Sequence, residues 1–373
     1  MKTEFHSHRC PERLPVRFAA LGAGAAILVT VNLASAQAGP PTQPPTQPPA
    51  ATTPPSPEFD DRTLDGHTFI YPLLQDGAFN TTHFGIRQGF ALETVPKFPL
   101  SSLGTFNLSA TGLVQDFDLA VKILPWIGVY GKAEGTVATG ANIDSLLLFG
   151  GQFAFGGEGG VVGRIARIES TGTQIALRLY GGGGTGRNVG VLPLVSELVS
   201  NTKSTLGSVV HGSIGKYILV PVSNDEFGGS VHAAQAAGRF VGIQAALQGQ
   251  SARETTSPYN GTENAPSTVS TTSIQASVGV DVDGSPAGVP LGAMAEYQFQ
   301  FNDASASGAS TSGTANLLGV GIYYTGRHNL LLGLGGKTEL NQPPFPGVSK
   351  AGTAEPSGAP SVYYGEFVLR YIW

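Results

Sequence analysis

Charged side chains recur in this sequence at every second position of runs that are otherwise apolar. Asp116 and Asp118 alternate with Phe117 and Leu119, Lys132 and Glu134 flank Ala133, and Glu296 sits between Ala295 and Tyr297. Arg87 and Glu93 fall opposite Phe84, Ile86, Phe90 and Leu92, and Arg178 separates Leu177 from Leu179. Near the end, Glu366 and Arg370 oppose Phe367, Leu369, Tyr371 and Trp373. Lys122, Asp281, Lys337 and Glu339 follow the same rule. A period of two places such groups on one face of a strand. Two kinds of chemistry suit them. In a wet lumen they set the local field and bias the flux of solutes. In a filled one they pair across strands and hold the wall together. Acidic members outnumber basic ones, which mildly favours cations.

Covalent chemistry has weaker support. The histidines after the N-terminal region are His67, His83, His211, His232 and His328. His211 has Ser208 and Ser213 nearby, but closeness in sequence does not make a nucleophile and its base. Neither GxSxG nor HExxH occurs. The acidic residues are too scattered for a calcium loop, so neither a metal nor another cofactor is expected. The four glycines 181–184 precede no Walker lysine, and a phosphate-cradling loop is not expected there.

Composition narrows the classes further. Charged residues make up 13% of the chain and glycine 52 of its 373 residues, with no collagen period. Lys2, Arg9, Arg13 and Arg17 precede an apolar stretch, residues 18–31, and the small-residue site Ala34-Ser35-Ala36. This pattern predicts a secretory signal over residues 1–36. Its removal takes four basic and two acidic side chains, moving the formal charge from −5 to −7, and takes Cys10, the only cysteine. Mild acidity argues against nucleic acid as a partner. Residues 37–66 begin with a Pro/Thr/Gln tract too poor in apolar groups to pack, and read as a disordered periplasmic segment.

The elements that must position the charged faces are short strands. Alternation marks strands at 82–94, 105–123, 126–139, 151–168 and 173–183, and a sixth ending near residue 236. A seventh follows Gly238, and the others span 269–282, 289–301, 314–325, 329–340 and 363–373. Tight turns follow the even strands. Longer connections, at 95–104, 140–150, 184–227, 251–268, 302–313 and 341–359, follow the odd ones. Short turns on one side and long loops on the other are the plan of an outer-membrane barrel with periplasmic termini. The expected fold is therefore all-β: a closed antiparallel transmembrane β-barrel over residues 67–373, with twelve strands, or ten or fourteen if a hairpin is miscounted. A secreted sandwich or β-helix is the rival. Closure requires residues 363–373 to pair with the strand near 82–94, because open edges in lipid leave backbone groups unsatisfied.

Residues 189–220 break the plan. Leu194 and Leu198 lie at helical spacing after Pro193. With His211 they are candidates for a constriction at the barrel mouth, while a plain loop and an extra hairpin remain alternatives.

The signal-like start, the alternating strands and the terminal Phe367, Leu369, Tyr371 and Trp373 resemble a Gram-negative outer-membrane β-barrel protein. That resemblance implies outer-membrane lipids, periplasmic chaperones and the barrel-assembly machinery as partners, with the terminal residues as assembly signal. Gly365 stands farther from the C-terminal aromatic than is common in such signals. The expected function is a partly constricted channel for small solutes and not an enzyme. The alternatives are a structural or adhesive barrel, a transporter for hydrophobic compounds, or a lipid-modifying enzyme. Transporters of the hydrophobic class carry an inward N-terminal segment, and the proline tract is a poor candidate for one.

Overall fold

The structure, a computed structural model, describes residues 62–99, 104–189, 219–257, 265–306, 309–344, 346–348 and 353–373. It opens with a small hairpin, β1 (Thr63–Leu64) and β2 (His67–Thr68), turned by Asp65 and Gly66 at φ 47° and 78°. An Asp-Gly pair with positive φ at both positions suits the tight hairpin turn.

Barrel strands follow: β3 (His83–Pro99), β4 (Thr105–Leu124), β5 (Ile127–Gly140), β6 (Gly151–Ile168), β7 (Thr173–Val189) and β8 (Leu219–Ala236). Then come β9 (Val241–Thr256), β10 (Ser267–Asp283), β11 (Leu291–Ala306), β12 (Ala309–Arg327) and β13 (Leu330–Leu340). After a short pair, β14 (Pro346–Val348) and β15 (Ala354–Pro356), the last strand is β16 (Ser361–Ile372). Twelve of these close a barrel of antiparallel neighbours in chain order. β16 seals it against β3, with Ser361 opposite Thr94 and Ile372 opposite His83. The Trp373 N–H donates to Thr82 O at 3.0 Å, so the seam extends to the last residue.

Each strand has two unlike faces. In β11, Leu291, Ala293, Ala295, Tyr297 and Phe299 are exposed, whereas Gly292, Met294, Glu296 and Gln298 are buried. Outward side chains such as Leu334, 67% exposed, form an apolar exterior that only lipid would cover. The alternation is thus inverted relative to a water-soluble sandwich.

The strands outrun the sequence pattern on the long-connection side. β7 continues through Gly181–Val189 and β8 begins at Leu219, so the connection expected at 184–227 shrinks to 190–218. Small and polar residues extend the hydrogen-bond ladder above the apolar band, where no hydrophobic alternation remains to mark it. The candidates Leu194, Leu198 and His211 lie outside the described residues, as do the expected signal and the proline tract. The helix the structure does describe, α1 (Ile143–Phe149), lies elsewhere, in the connection between β5 and β6. Asn142 caps it, accepting from Ser145 N at 2.7 Å.

Two further departures concern the N-terminal part. Residues 62–66 belong to the folded structure rather than to a disordered segment: Arg62 and Leu64 are buried. Residues 69–82 have no regular secondary structure and run inside the barrel.

Candidate channel lumen and its internal segment

The internal segment enters at the tight-turn end. The β1–β2 hairpin is fixed there by Arg62, which donates to His328 O at 3.0 Å, and by Arg167, which donates to Thr63 O at 2.9 Å. A register shift in β6 between Arg164 and Ala166 puts both Arg164 and Arg167 on the same face of the strand despite their odd spacing. The extra residue, Ile165, is 63% exposed, and Arg167 returns to the inner face.

From there the chain climbs. Ile70, Tyr71 and Leu73 pack with Met294, Tyr323, Leu331, Val368 and Ile372 of β11, β12, β13 and β16. Phe69, Ala78 and Phe79 join Leu64, Ala234 and Ala236. Glycines on the inner faces make room. A Cβ on Gly292 would lie 2.5 Å from Ile70, and one on Gly335 would lie 2.8 Å from Leu73.

A segment without its own hydrogen-bond ladder must satisfy its backbone elsewhere. The wall supplies the partners. Glu296 accepts from the N–H groups of Leu73 and Leu74, the latter at 3.0 Å. Asp281 accepts from Ile70 N at 3.2 Å and contacts His67 Nε2 at 2.8 Å, while Gln244 donates to Ile70 O at 2.7 Å. Arg87 donates to Pro72 O at 3.1 Å and Leu73 O at 3.3 Å. Gln174 and Arg178 donate to Ala78 O and Gly77 O at 2.7 and 3.2 Å.

Charge pairing adds to this. Asp76 meets Lys132 at 3.0 Å and Arg178 at 3.3 Å. Burial opposes ionisation of Asp76, but the Arg178 and Lys132 charges prevail and hold its carboxyl well below the usual carboxylate range. Beside it, Tyr71 bonds Thr81, Thr81 contacts His83 at 3.0 Å, and His83 contacts Asp118 at 3.0 Å. Asp118 also pairs with Arg370, whose guanidinium lies 3.8 Å from the centre of the Tyr71 ring.

Arg87, Asp118, Lys132, Arg178, Glu296 and Arg370 are therefore gathered around the internal segment. Glu366 stands behind it, 3.9 Å from both Arg87 and Lys337. The other inward candidates lie farther toward the long connections. Asp116 is opposite both Arg87 and Glu134, and Glu93 is opposite Ala110. The segment reaches well into the barrel. The five-residue climb from Leu291 to Glu296 corresponds to about 13 Å of height for a strand tilted by about 40°. That is about half of a ~25 Å apolar band. The segment fills the lumen over this height, and the wall beyond it carries both polar groups, Glu93, Glu134, Glu158, Glu226 and Gln300, and apolar ones, Ala91, Val114, Val95 and Leu108.

Asp76 and Tyr71 were missed by strand periodicity because they belong to no strand, and His67 because β2 is only two residues long. The signal was present in the apolar run 69–74, which lacks the alternation of a wall strand and lies between Gly66 and Gly77. Buried Ser230 and His232 also went unassigned; they are 2.6 Å apart on the inner face of β8. Among the described residues, no group of three His, Cys, Asp or Glu side chains could hold a metal ion.

The terminal residues face the other way. Phe367, Tyr371 and Trp373 are exposed and Leu369 half-buried on the outer face, with the Tyr371 and Trp373 rings 5.7 Å apart.

No family model and no curated protein matches the sequence. Solved structures do match the fold. An outer-membrane channel from Pseudomonas putida F1 aligns at 8% identity over 82% of this chain and 100% of its own, with a TM-score of 0.50. The translocator domain of the autotransporter NalP from Neisseria meningitidis aligns at 8% identity, covering 79% of this chain and 89% of its own, with a TM-score of 0.47. For the toluene transporter TbuX of Ralstonia pickettii the values are 10%, 79%, 90% and 0.38. With its apolar exterior, an interior of mixed polar and apolar groups and a closed ring of twelve antiparallel strands, the chain has the fold of the Gram-negative outer-membrane β-barrel proteins.

Proposed function

We propose that this chain is an outer-membrane channel for small polar solutes, held shut at its tight-turn end by residues 69–82. One observation carries this reading. A single peptide segment, attached through side-chain hydrogen bonds and ion pairs as well as two buried apolar clusters, fills part of a barrel whose inner wall beyond it carries carboxylates and amides. The polar contacts can be exchanged for water, so a shift of the segment that also releases its apolar seats opens a route without unfolding the wall. A solute passing there meets carboxylates and amides, which suits polar cargo better than hydrophobic compounds. No catalytic step is assigned to the lumen, and the termini are placed on the periplasmic side with the tight turns.

Recording from the purified chain in planar bilayers tests this reading. Brief openings from a closed state are expected, with more frequent openings when the attachments of residues 69–82 are weakened. A barrel that stays silent in every such variant would point to a structural role.

A further inference from the structure

Between the internal segment and the wall lies a gap lined by Tyr71, Asp76, Lys132, Arg178 and Arg370, with Arg87 and Asp118 at its edge. It admits a species about the size of one or two water molecules. Four cationic side chains face it, against two carboxylates. Asp76 serves both Lys132 and Arg178, while Asp118 serves Arg370 and contacts His83. Glu158 and Glu366 approach Lys132 and Arg87 from behind, at 3.7 and 3.9 Å, beyond hydrogen-bond reach.

The hydrogen-bond inventory shows the same imbalance. Arg178 Nε, Arg370 Nε and Arg370 Nη1 are buried without a protein partner, and so is Gln75 Nε2. Among the lining side chains, Asn80 Oδ1 and the Tyr130 hydroxyl are the possible acceptors in that condition, and behind the lining both Glu366 oxygens also lack a hydrogen-bond partner. A guanidinium carries only donors, so its missing partner is an acceptor. The Arg178 and Arg370 side chains are 8% and 6% exposed, so bulk water does little to satisfy them.

We infer that the gap between residues 71–81 and the barrel wall is a binding site for a small inorganic anion of halide size, held by Arg178 and Arg370. Phosphate esters and organic acids are too large for it. The anion joins β7 and β16 to the internal segment and neutralises the surplus positive charge there. The site does not depend on conduction. Its effect on opening does rest on the channel reading above.

Bromide is the direct probe. Crystals of the full chain grown in sodium bromide should show an anomalous peak within hydrogen-bond reach of Arg178 or Arg370. A map with solvent but no anomalous signal in the gap would overturn the site. In solution, folded protein should broaden the chloride-35 resonance, bromide should compete, and Arg178→Gln should reduce the broadening at least fivefold. Should that variant fail to fold, Arg370→Lys provides the same test with the charge retained, and broadening equal to that of the native chain overturns the assignment. In bilayers, replacing chloride by gluconate should raise the open fraction several-fold. An anomalous peak in a barrel that never conducts would preserve the site and refute the channel.

Discussion

Glu296 is the attachment whose loss should be felt most. Its carboxylate accepts from two successive backbone N–H groups of the internal segment, Leu73 and Leu74, and its residue is 2% exposed. Glu296→Gln keeps the size but turns one acceptor into a donor, which then faces an N–H group. A hydrogen bond to a charged group contributes about 1.5–3 kcal/mol, and one orphaned buried donor adds about 1 kcal/mol or more. Since glutamine retains one acceptor, the closed state should lose about 2–4 kcal/mol relative to the released one. At about 1.4 kcal/mol per decade, the open-to-closed ratio rises about 30- to 700-fold. The assay is the open fraction in planar bilayers at fixed voltage and salt. Gln298 is the control: it lies on the same face two residues away, but donates to Gln275 at 2.8 Å rather than to the segment. Gln298→Ala should leave the ratio within about threefold, given the small effect of a contact outside the latch. Equal open fractions for Glu296→Gln and the native chain would refute the latch.

Asp76 should make closure depend on acid. Its carboxyl is held well below the usual range in the closed state, so its contribution is complete above the ordinary aspartate pKa of about 4 and fades as pH falls below it. Asp76→Asn should open more often at neutral pH, and its difference from the native chain should shrink in acid; a pH-independent difference would contradict the pairing. Gly292→Val should drive Ile70 from its seat at a cost of about 1–3 kcal/mol, measured as faster proteolysis within residues 69–82. Gly365→Ala has open space at its Cβ on the outer face and should be neutral or stabilising by up to about 1 kcal/mol in denaturant titrations. Trp373→Asp should lower outer-membrane yield, although a charge near the interface costs only about 0–1 kcal/mol once the barrel is inserted.

Wall and contents differed in how legible they were. In β11 and β16 a single alternation assigns every side chain to a face, because the pleat enforces it and lipid on one side selects for it. The closure of β16 on β3 followed from the need to leave no edge. The strand extension beyond Gly183 was not legible, since glycine and polar residues carry no hydrophobic alternation. Residues 69–82 were hidden for another reason. Their position is set by tertiary contacts to inner faces that strand periodicity does not report. Of the charged candidates, Glu296 and Arg87 could be assigned to the inner face from sequence, but not to a peptide partner, because that partner comes from a distant part of the chain.

All twelve barrel strands lie between His83 and Ile372, so the wall can close without the internal segment. Single-channel conductance of a chain lacking residues 62–80 is therefore the decisive measurement. A steady, ohmic open state is expected, in contrast to the brief openings of the full chain. A barrel that assembles with the same closed behaviour as the full chain would show that residues 69–82 do not close the lumen.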